Sequence, residues 1–366
     1  MNTATFEKLQ EICRVFRLPD TLSGAEEIRQ GIINQTYKVT VRREDGSEKP
    51  YMIQKINTRV FVNPVQVMEN IDRVTEHLRQ KMPGKTSLHF HHTEDRKNYV
   101  EDEDGFWRLF NFIPSKTYDE CKDLEVIRNA GRAFGEFQQL LSDFEVESLN
   151  ETISHFHDTQ RRYEQLDDAA RLDVRGRLQE VVPELRWLNS ARKKACTLSD
   201  MRRAGTLPLR VTHNDTKINN VLFAPEGPEA IVVIDLDTVM PGLVGHDFGD
   251  AIRFAGNTRP EDWKNTADVG VNLLVFQEFA KGFLSETAGT LTQNEIDTLA
   301  LSCFVMTTEC AVRFLEDYLS GDTYFKIAYP GQNLVRARCQ IALAQDMERH
   351  MEQMDAIIRR CVEEYR

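Results

Sequence analysis

The chain has 366 residues, of which 46 are Lys or Arg and 58 are Asp or Glu, so its formal net charge is −12 and its sequence pI is near 5.4. This length suggests two or three folding units and is ample for a large buried core. The acidic balance argues against nucleic acid or an anionic membrane as a partner.

The cysteines and the apolar segments exclude further classes. Seven cysteines lie at scattered positions without a CxxC pair, which favours neither a disulfide framework nor a zinc site. No uninterrupted apolar run approaches the roughly 20 residues of a membrane span. The first 17 residues carry charges in an amphipathic pattern, unlike a secretion signal. We therefore expect a cytoplasmic protein with reduced thiols and no membrane partner.

Residues 1–113 are predicted to form a small β-rich lobe, because short apolar segments there alternate with turn signals. In chain order, its predicted elements are a helix over 1–17, strand-like segments before and after a glycine turn at 30–35 (the second over 36–42), a hairpin turn at Asp45-Gly46, a strand over 51–56, a helix over 64–79 that begins with Pro64, and a strand over 105–113. Pro114 then marks the expected domain boundary.

Residues 114–366 are predicted to form a larger, mostly helical lobe. Its predicted elements are a helix over 124–144, a charged helical region over 158–204 that breaks near Pro183, strands and a polar loop over 207–237, a helix that opens at 245–254, and helices over 265–285, 293–320 and 333–366. A small β-rich lobe before a helical lobe that contains the motif H-x-D-x-K-x-x-N, at residues 213–220, predicts an α+β, bilobal protein-kinase-like fold.

The polar loop has the residue types of a phosphotransferase catalytic loop. His213, Asp215, Lys217 and Asn220 follow the order H-x-D-x-K-x-x-N, which matches the protein-kinase loop at every offset except the Arg before Asp, replaced here by Asn214. An apolar strand then ends in a carboxylate twenty residues after Asp215. The alternative interpretation is a polar turn whose carboxylates cap neighbouring backbone; the complete set of residue types favours catalysis.

Each residue type suits one part of phosphoryl transfer, in which a protein positions groups and neutralises charge. Asp215 would orient an acceptor hydroxyl and take its proton, and Lys217 could reach a phosphate oxygen as a point charge. Asn220 would supply a neutral oxygen to Mg²⁺ and Asp235 a charged one. The sequence therefore predicts a nucleoside triphosphate and Mg²⁺ as cofactors.

A second acidic motif, Asp247-Phe-Gly, comes just after this region. Since Asp247 opens a helical segment, we favour a structural role in which it caps backbone donors and holds the loop, over a metal role. No long activation segment with A-P-E follows, which argues against protein substrates and favours a small acceptor.

With these residues in view, the chain resembles the aminoglycoside phosphotransferase and choline kinase superfamily and, within it, the bacterial N-acetylhexosamine 1-kinases. The resemblance covers nearly the whole chain. The motifs that carry it begin at Gly31, Gln54, Phe134, Glu151, Leu209, Val233, Asp247, Glu309 and Asn333.

This resemblance implies ATP- and Mg²⁺-dependent phosphorylation of the anomeric hydroxyl of N-acetylglucosamine or N-acetylgalactosamine, giving the 1-phosphate. It implies that Asp215 is the base, that Asp235 binds the metal, and that Arg313 and Tyr324 bind the sugar. It also favours Gly31 and Asn34, in the glycine turn, as nucleotide contacts. The expected partners are thus a nucleotide and a small sugar, and the expected state is a monomer or weak homo-oligomer.

Two departures from the resemblance leave alternatives open. Ile32 stands where such kinases often have a sugar-contacting His. Gln54 stands where a protein kinase has its phosphate-binding Lys, and Lys55 falls on the opposite face of the strand, so we favour Gln54 as the phosphate contact.

Several functional alternatives also remain. The chain could phosphorylate another small alcohol, such as another hexose, an amino alcohol, homoserine or an aminoglycoside, or it could be a degenerate nucleotide-binding regulator. Arg313 could form a helical ion pair with Glu309, four residues earlier, although we favour a ligand role. His155 and His157 share one face of an extended stretch, for which we favour a structural role.

Overall fold

The computed structural model describes residues 3–18, 21–28 and 33–366. The chain divides into two compact units. The first comprises Met1–Lys116, Glu147–Ile153 and Ile234–Met240, and the second comprises Thr117–Val146, Ser154–Val233 and Pro241–Arg366. The domain boundary predicted after residue 113 falls near the end of the longest segment of the first unit. The prediction of a single boundary missed the two later segments in which the chain returns to the first unit.

The first unit is a five-stranded antiparallel sheet with two helices, in the strand order β1-β2-β3-β5-β4. Its elements are α1 (Thr3–Val15), β1 (Thr21–Ile28), β2 (Gln35–Arg42), β3 (Glu48–Ile56), α2 (Pro64–Lys81), β4 (Val100–Asp102) and β5 (Gly105–Asn111). The predicted strands and helices are confirmed, and β4 is an addition. Residues 30–32 of the predicted turn at 30–35 lie outside the described residues.

The buried face of this sheet follows from strict alternation along the strands. In β2 the side chains of Tyr37, Val39 and Val41 are buried on one face. Ile53 of β3 and Leu109 of β5, which are paired, continue that face. Apolar residues of α1 pack against it, and the core so formed contains Leu9, Ile12, Cys13, Phe16, Leu18, Leu22, Tyr37, Val39, Val41, Tyr51, Ile53, Trp107 and Leu109.

The opposite face carries a row of polar side chains. The register pairs Thr36 with Gln54 and Gln54 with Arg108, so the three lie side by side on neighbouring strands. Gln54 Nε2 donates to Thr36 Oγ1 at 3.0 Å, and Gln54 Oε1 accepts from Arg108 Nε at 2.9 Å and Nη2 at 2.7 Å. Strand register thus places a buried arginine beside a predicted phosphate contact.

Asn70 of α2 joins the separate segments of the first unit. Its side chain is buried, and its Nδ2 donates to the carbonyl oxygens of Asn150 at 2.8 Å and Val239 at 2.9 Å. Its Oδ1 accepts from the Asn150 N–H at 2.8 Å. Asparagine suits this position because one short side chain supplies two donors and an acceptor.

The second unit is mostly helical. Its elements are α3 (Leu124–Leu140), α4 (Thr159–Leu172), α5 (Val182–Ala195), α6 (Thr197–Arg203), β6 (Arg210–Thr212), β7 (Val221–Phe223), β8 (Ala230–Val233), β9 (Met240–Gly242, whose first residue belongs to the first unit), α7 (Val244–Ala255), α8 (Leu273–Thr287), α9 (Gln293–Ser320), α10 (Gln332–Arg349) and α11 (Met351–Tyr365). Pro183 lies in the first turn of α5, which confirms the predicted break. The helix predicted over 333–366 is two helices, which meet at His350.

The 28-residue helix α9 is the central element of this unit, and most of its side chains are buried. It begins with a capping box between Thr292 and Glu295 and ends at Gly321, which has the left-handed φ of 106°. In the part of the chain that the structure describes, α9 is the one helix long and apolar enough to cross a membrane, but 83% of its most apolar stretch is buried inside the unit.

Helices α3 and α8 approach so closely that only glycine fits at their contact. A Cβ added to Gly131 of α3 would lie 2.3 Å from the Phe279 carbonyl oxygen, and one added to Gly282 of α8 would lie 1.9 Å from the Arg128 carbonyl oxygen. Gly131 and Gly282, one from each helix, thus allow the two backbones to pack directly, which positions the helix that carries Gln138.

We predict that Asn70→Leu lowers the free energy of unfolding by about 2–4 kcal/mol, because it leaves two buried carbonyls and one N–H without partners. Urea unfolding followed by tryptophan fluorescence measures the change. Glu76→Ala, at a surface position of the same helix, is the control and should stay within about 0.5 kcal/mol of the wild type. A wild-type transition for Asn70→Leu would show that these bonds do not hold the unit together.

Candidate active site

The loop that carries Asp215 connects β6 to β7. β6 ends at Thr212, and a short 3₁₀ turn over Ile218–Asn220 leads directly into β7. Asn214 has a φ of 63°, a left-handed conformation that asparagine adopts more readily than most residues. An Asn immediately before Asp215 therefore suits the bend of this loop.

Three of the predicted site residues meet in this loop. Lys217 Nζ lies 2.7 Å from Asp215 Oδ1. Asn220 Nδ2 donates to the Asp215 carbonyl oxygen at 2.7 Å and to Asp215 Oδ2 at 3.1 Å. The structure thus brings together the carboxylate, the cation and the amide of the sequence motif.

Asp215 and Lys217 each favour the charged form of the other. Burial by itself raises the pKa of Asp215, but the charge and hydrogen bond of Lys217 outweigh it and hold this pKa below its usual value. In turn, the negative charge of Asp215 raises the pKa of Lys217. The two side chains remain 29% and 31% exposed, so a ligand can reach them.

The side chain of Asp247 fixes the backbone of this loop by hydrogen bonds. It lies within α7 and is buried, and its carboxylate accepts the backbone N–H of His213 at 2.9 Å and of Asn214 at 2.7 Å. Gln138 Nε2 donates to the same carboxylate at 2.7 Å, and the Thr216 hydroxyl donates to the Asp247 carbonyl oxygen. The carboxylate therefore caps the loop, whereas α7 itself is capped at Leu243.

The surroundings of Arg313 are aromatic. Its guanidinium carbon lies 5.2 Å from the ring centre of Phe156, 5.9 Å from that of Tyr324 and 5.4 Å from that of Phe325. The carboxylate of Glu309 bonds His157 and Thr159. Arg313 and Glu309 each contact other residues, distant in sequence, instead of forming the helical ion pair that was considered for them.

The turn that carries Tyr324 is fixed by one buried carboxylate. Asp317 accepts the backbone N–H groups of Thr323 and Tyr324 at 2.8 Å each and of Phe325 at 2.9 Å. Its Oδ2 also accepts from Asn333 Nδ2 at 2.8 Å. The Tyr324 ring itself is 60% exposed, so the turn presents an accessible aromatic side chain beside Arg313.

In the first unit, two of the predicted nucleotide contacts belong to a network centred on Asp237. Asn34 Nδ2 donates to Asp237 Oδ2 at 2.6 Å, and Asn34 Oδ1 accepts the Asn57 N–H at 2.9 Å. Arg108 Nη1 donates to Asp237 Oδ1, and the same guanidinium is bonded to Gln54. Gly31, the third predicted contact, lies outside the described residues.

Gln54 and Lys55 occupy opposite faces of β3, as alternation requires. Gln54 faces the polar row with Arg108. The Lys55 ammonium lies 5.3 Å from the ring centre of Trp107, a cation–π contact. Lys55 is therefore engaged on the other face, and the positive charge on the face of Gln54 comes from Arg108.

The two predicted metal ligands belong to different units. Asn220, in the second, turns its Nδ2 toward Asp215, which leaves its carbonyl oxygen to serve as a neutral ligand. Asp235, in the first, has φ 60° and ψ 58°, a left-handed conformation that marks sites where structure fixes a side chain. Among residues 3–18, 21–28 and 33–366 no three His, Cys, Asp or Glu side chains are grouped as a metal site. An amide and a carboxylate suit Mg²⁺, which takes few protein ligands and uses phosphate oxygens and water.

Sequence reasoning missed Arg108 and the pairing of His157 with Glu309. A signal for Arg108 was present, because an arginine within the apolar strand 105–113 needs a buried partner. The partner of His157 lies 152 residues away, and no local pattern indicates it.

A model of a family described as "Phosphotransferase enzyme family" matches residues 24–271. Among solved structures, the chain is similar to a microcompartment-associated aminopropanol kinase, with a TM-score of 0.65, 14% identity and coverage of 96% of this chain and 98% of that chain. It is also similar to the ethanolamine kinase of Plasmodium vivax (TM-score 0.60, 12% identity, 93% and 89% coverage).

A third similar structure is an aminoglycoside phosphotransferase from Alicyclobacillus acidocaldarius subsp. acidocaldarius, with a TM-score of 0.58, 13% identity and coverage of 93% of this chain and 92% of that chain. At these identities the likenesses show the fold alone. They confirm the predicted α+β, protein-kinase-like fold with a small N-terminal β-sheet and a larger helical region.

We predict that Asp317→Asn speeds hydrogen exchange of the Thr323, Tyr324 and Phe325 amides by about tenfold or more. The amide nitrogen that replaces one carboxylate oxygen cannot accept, and an unpaired buried N–H costs about 1–3 kcal/mol. Exchange is followed by mass spectrometry of peptides that cover this turn. Glu316→Gln, one residue earlier, is the matched control and should leave their exchange unchanged. Equal protection in both variants would show that Asp317 does not order the turn.

Proposed function

The chain belongs to the phosphotransferase enzyme family, and from this premise we propose that it is an ATP-dependent small-molecule kinase that phosphorylates the anomeric hydroxyl of N-acetylhexosamines. The single observation that carries the phosphoryl-transfer part is the Asp215–Lys217–Asn220 constellation. It offers an ionised carboxylate, a cation and an amide within one accessible loop.

In the proposed reaction, Asp215 accepts a hydrogen bond from the anomeric hydroxyl and takes its proton as the hydroxyl oxygen bonds to the γ-phosphorus and the bond to ADP breaks. Lys217, paired with Asp215, would move to a transferring phosphate oxygen as negative charge builds there. We propose Asn220 and Asp235 as the ligands of Mg²⁺. When bound, this ion would neutralise negative charge on the phosphates.

Asn34 and Gln54 are kept as the nucleotide contacts of the first unit. Both are already oriented by hydrogen bonds, Asn34 by Asn57 and Gln54 by Thr36 and Arg108. A side chain that is fixed before binding loses less conformational entropy when it contacts the nucleotide. Gly31 stays a sequence-based proposal.

The surroundings of Arg313 support a neutral, hydroxyl-rich acceptor. Three aromatic rings frame this guanidinium, and sugars commonly bind where apolar faces and hydrogen-bond donors meet. Burial and the charge of Arg313 lower the pKa of Arg162, so two positive charges act on one another here. Arg313 as a ligand contact disfavours a cationic acceptor such as an amino alcohol only weakly, because Glu309 and Glu316 also act on these arginines and offset part of the repulsion.

The second candidate is a kinase of the same fold that acts on another small alcohol. The similar structures named above are kinases of aminopropanol and ethanolamine and an aminoglycoside phosphotransferase, which favours testing amines beside sugars. A degenerate nucleotide-binding regulator is disfavoured, because Asp215, Lys217, Asn220 and Asp235 are all present.

The acceptor is tested by ADP release from MgATP across N-acetylglucosamine, N-acetylgalactosamine, hexoses, choline, ethanolamine and homoserine. We expect turnover with an N-acetylhexosamine and a phosphate at C1, located by ³¹P–¹H NMR. The methyl 1-glycoside of the same sugar, which lacks a free anomeric hydroxyl, is the control and should be inert. Turnover of amines alone, or a phosphate at O6, would overturn the proposal.

We predict that Asp215→Asn lowers kcat by about 10²- to 10⁴-fold, the usual contribution of a positioned base. The affinity for MgADP should change little, because this carboxylate faces the acceptor. Its pKa lies below the usual value of 3.8, so wild-type activity should not fall with its protonation until the pH drops below about 4. Asp297→Asn, on the exposed side of α9, is the control with wild-type kcat. A near-normal kcat for Asp215→Asn would refute the assignment of the base.

A further inference from the structure

His157 and Glu309 form a buried pair in the second unit that the proposed mechanism does not use. The side chains are 6% and 1% exposed, and His157 Nδ1 lies 2.8 Å from Glu309 Oε1. Thr159 donates its hydroxyl to the other oxygen, Glu309 Oε2. Each oxygen of this buried carboxylate therefore has a hydrogen-bond partner.

The second ring nitrogen of His157 faces the loop that carries Asp215. Its Nε2 lies 3.3 Å from the carbonyl oxygen of Asn214. A backbone carbonyl can only accept, and so can an ionised carboxylate. Each nitrogen of His157 must therefore carry a hydrogen to bond its neighbour, and the ring that satisfies both is the imidazolium.

The charges around His157 agree with this assignment. Burial alone raises the pKa of Glu309, but the charge of His157 and the hydrogen bonds from His157 and Thr159 lower it to about 2, so the carboxylate is ionised. His246, on α7, has its ring centre 5.0 Å from that of His157. Burial and the His157 charge lower the pKa of His246 to about 3, so His246 is neutral.

The hydrogen bonding of His246 agrees with a neutral ring. Its Nδ1 accepts the Leu243 N–H at 3.5 Å, which requires a lone pair on that nitrogen. The two neighbouring rings thus have opposite roles. His246 accepts at the start of α7, and His157 donates in two directions.

Both ends of the peptide unit between Asn214 and Asp215 are then held by histidines. His157 binds its carbonyl oxygen at 3.3 Å, and His213 Nδ1 accepts its N–H, that of Asp215, at 3.3 Å. Since Asn214 is in the left-handed conformation, the direction of this peptide decides where the Asp215 side chain points.

We infer that His157 is a positioning residue, an imidazolium held by Glu309 that fixes the Asn214–Asp215 peptide and, through it, the Asp215 carboxylate. The catalytic part of this inference rests on the proposed function, while the protonation and the peptide contact do not. A carboxylate displaced by about 1 Å can cost on the order of 10²-fold in rate, so such a support has a measurable effect.

The same segment also reaches the region of Arg313. Phe156, the neighbour of His157, has its ring 5.2 Å from the Arg313 guanidinium carbon. Its carbonyl oxygen accepts from Arg162 Nε at 3.2 Å and Nη2 at 2.9 Å. Residues 156 and 157 therefore contact both the proposed acceptor side and the catalytic loop, and one short segment sets the position of each.

The first test needs no substrate. Histidine ¹⁵N NMR of the wild-type protein at pH 7.5 should show both nitrogens of His157 protonated, with His246 neutral. In Glu309→Gln the His157 ring should become neutral, because its counter-ion is gone. A neutral His157 ring in the wild type would overturn the inference. In His157→Gln, the ¹³C shift of the Asn214 carbonyl and the ¹⁵N shift of Asp215 should both move, and unchanged shifts would overturn the peptide contact.

The second test separates positioning from a purely structural role. His157→Gln and Glu309→Gln should each lower kcat by about tenfold to a hundredfold while KM for ATP stays within about twofold. Tyr163→Phe removes a different buried hydrogen bond of the second unit, that of the Tyr163 hydroxyl to the Leu188 carbonyl oxygen, and is the matched control, with lower thermal stability but wild-type kcat. Equal kcat in all three variants would overturn the inference. Absence of turnover by the wild type on every acceptor would refute the proposed function alone, since the NMR results decide the inference without it.

Discussion

One buried carboxylate determines the geometry of the loop on which the rest of the site depends. Asp247 accepts two successive backbone N–H groups, those of His213 and Asn214, and a third hydrogen bond from Gln138. Its burial raises its pKa despite these bonds. Successive amides that converge on one acceptor require a bent backbone, and the left-handed Asn214 supplies that bend. Asp215 follows immediately, so its side chain starts from a fixed point.

Several charged side chains of the two units lie in pairs of opposite sign. Lys217 lowers the pKa of Asp215, and Asp215 raises that of Lys217. In the first unit Arg108 is paired with Asp237, and on α9 the Glu309 carboxylate is hydrogen-bonded to His157 Nδ1. Buried pairs of this kind contribute little net stability, because desolvation offsets their attraction, but losing one partner is costly. Their value here is a fixed geometry for groups that must act on a small ligand.

Local sequence patterns predicted the elements of the fold and one loop in which polar side chains meet. Alternation in 36–42 and 51–56 predicted β2 and β3, and helical spacing predicted α2, α3 and α9. The spacing of His213, Asp215, Lys217 and Asn220 predicted a loop whose last three side chains do meet. These predictions succeed because a single element or a single turn determines the geometry.

Long-range pairing could not be predicted in the same way. Glu309 lies four residues from Arg313, yet it bonds His157 and Thr159, which reach it from another part of the chain. The break between α10 and α11 at His350 has no Gly or Pro to signal it. Arg108 appeared only as part of an apolar strand, and its role depends on the register that sets it beside Gln54 and on Asp237, 129 residues later. Such contacts depend on tertiary packing, which a local pattern does not contain.

The central claim is that the loop fixed by Asp247 presents Asp215 to the reacting hydroxyl of a sugar. A crystal structure of the protein with MgADP and an N-acetylhexosamine tests it most directly. The account predicts that the anomeric hydroxyl lies about 2.6–3.2 Å from a carboxylate oxygen of Asp215, the distance that proton transfer needs. A sugar that binds with another hydroxyl on Asp215, or away from this carboxylate altogether, would contradict it.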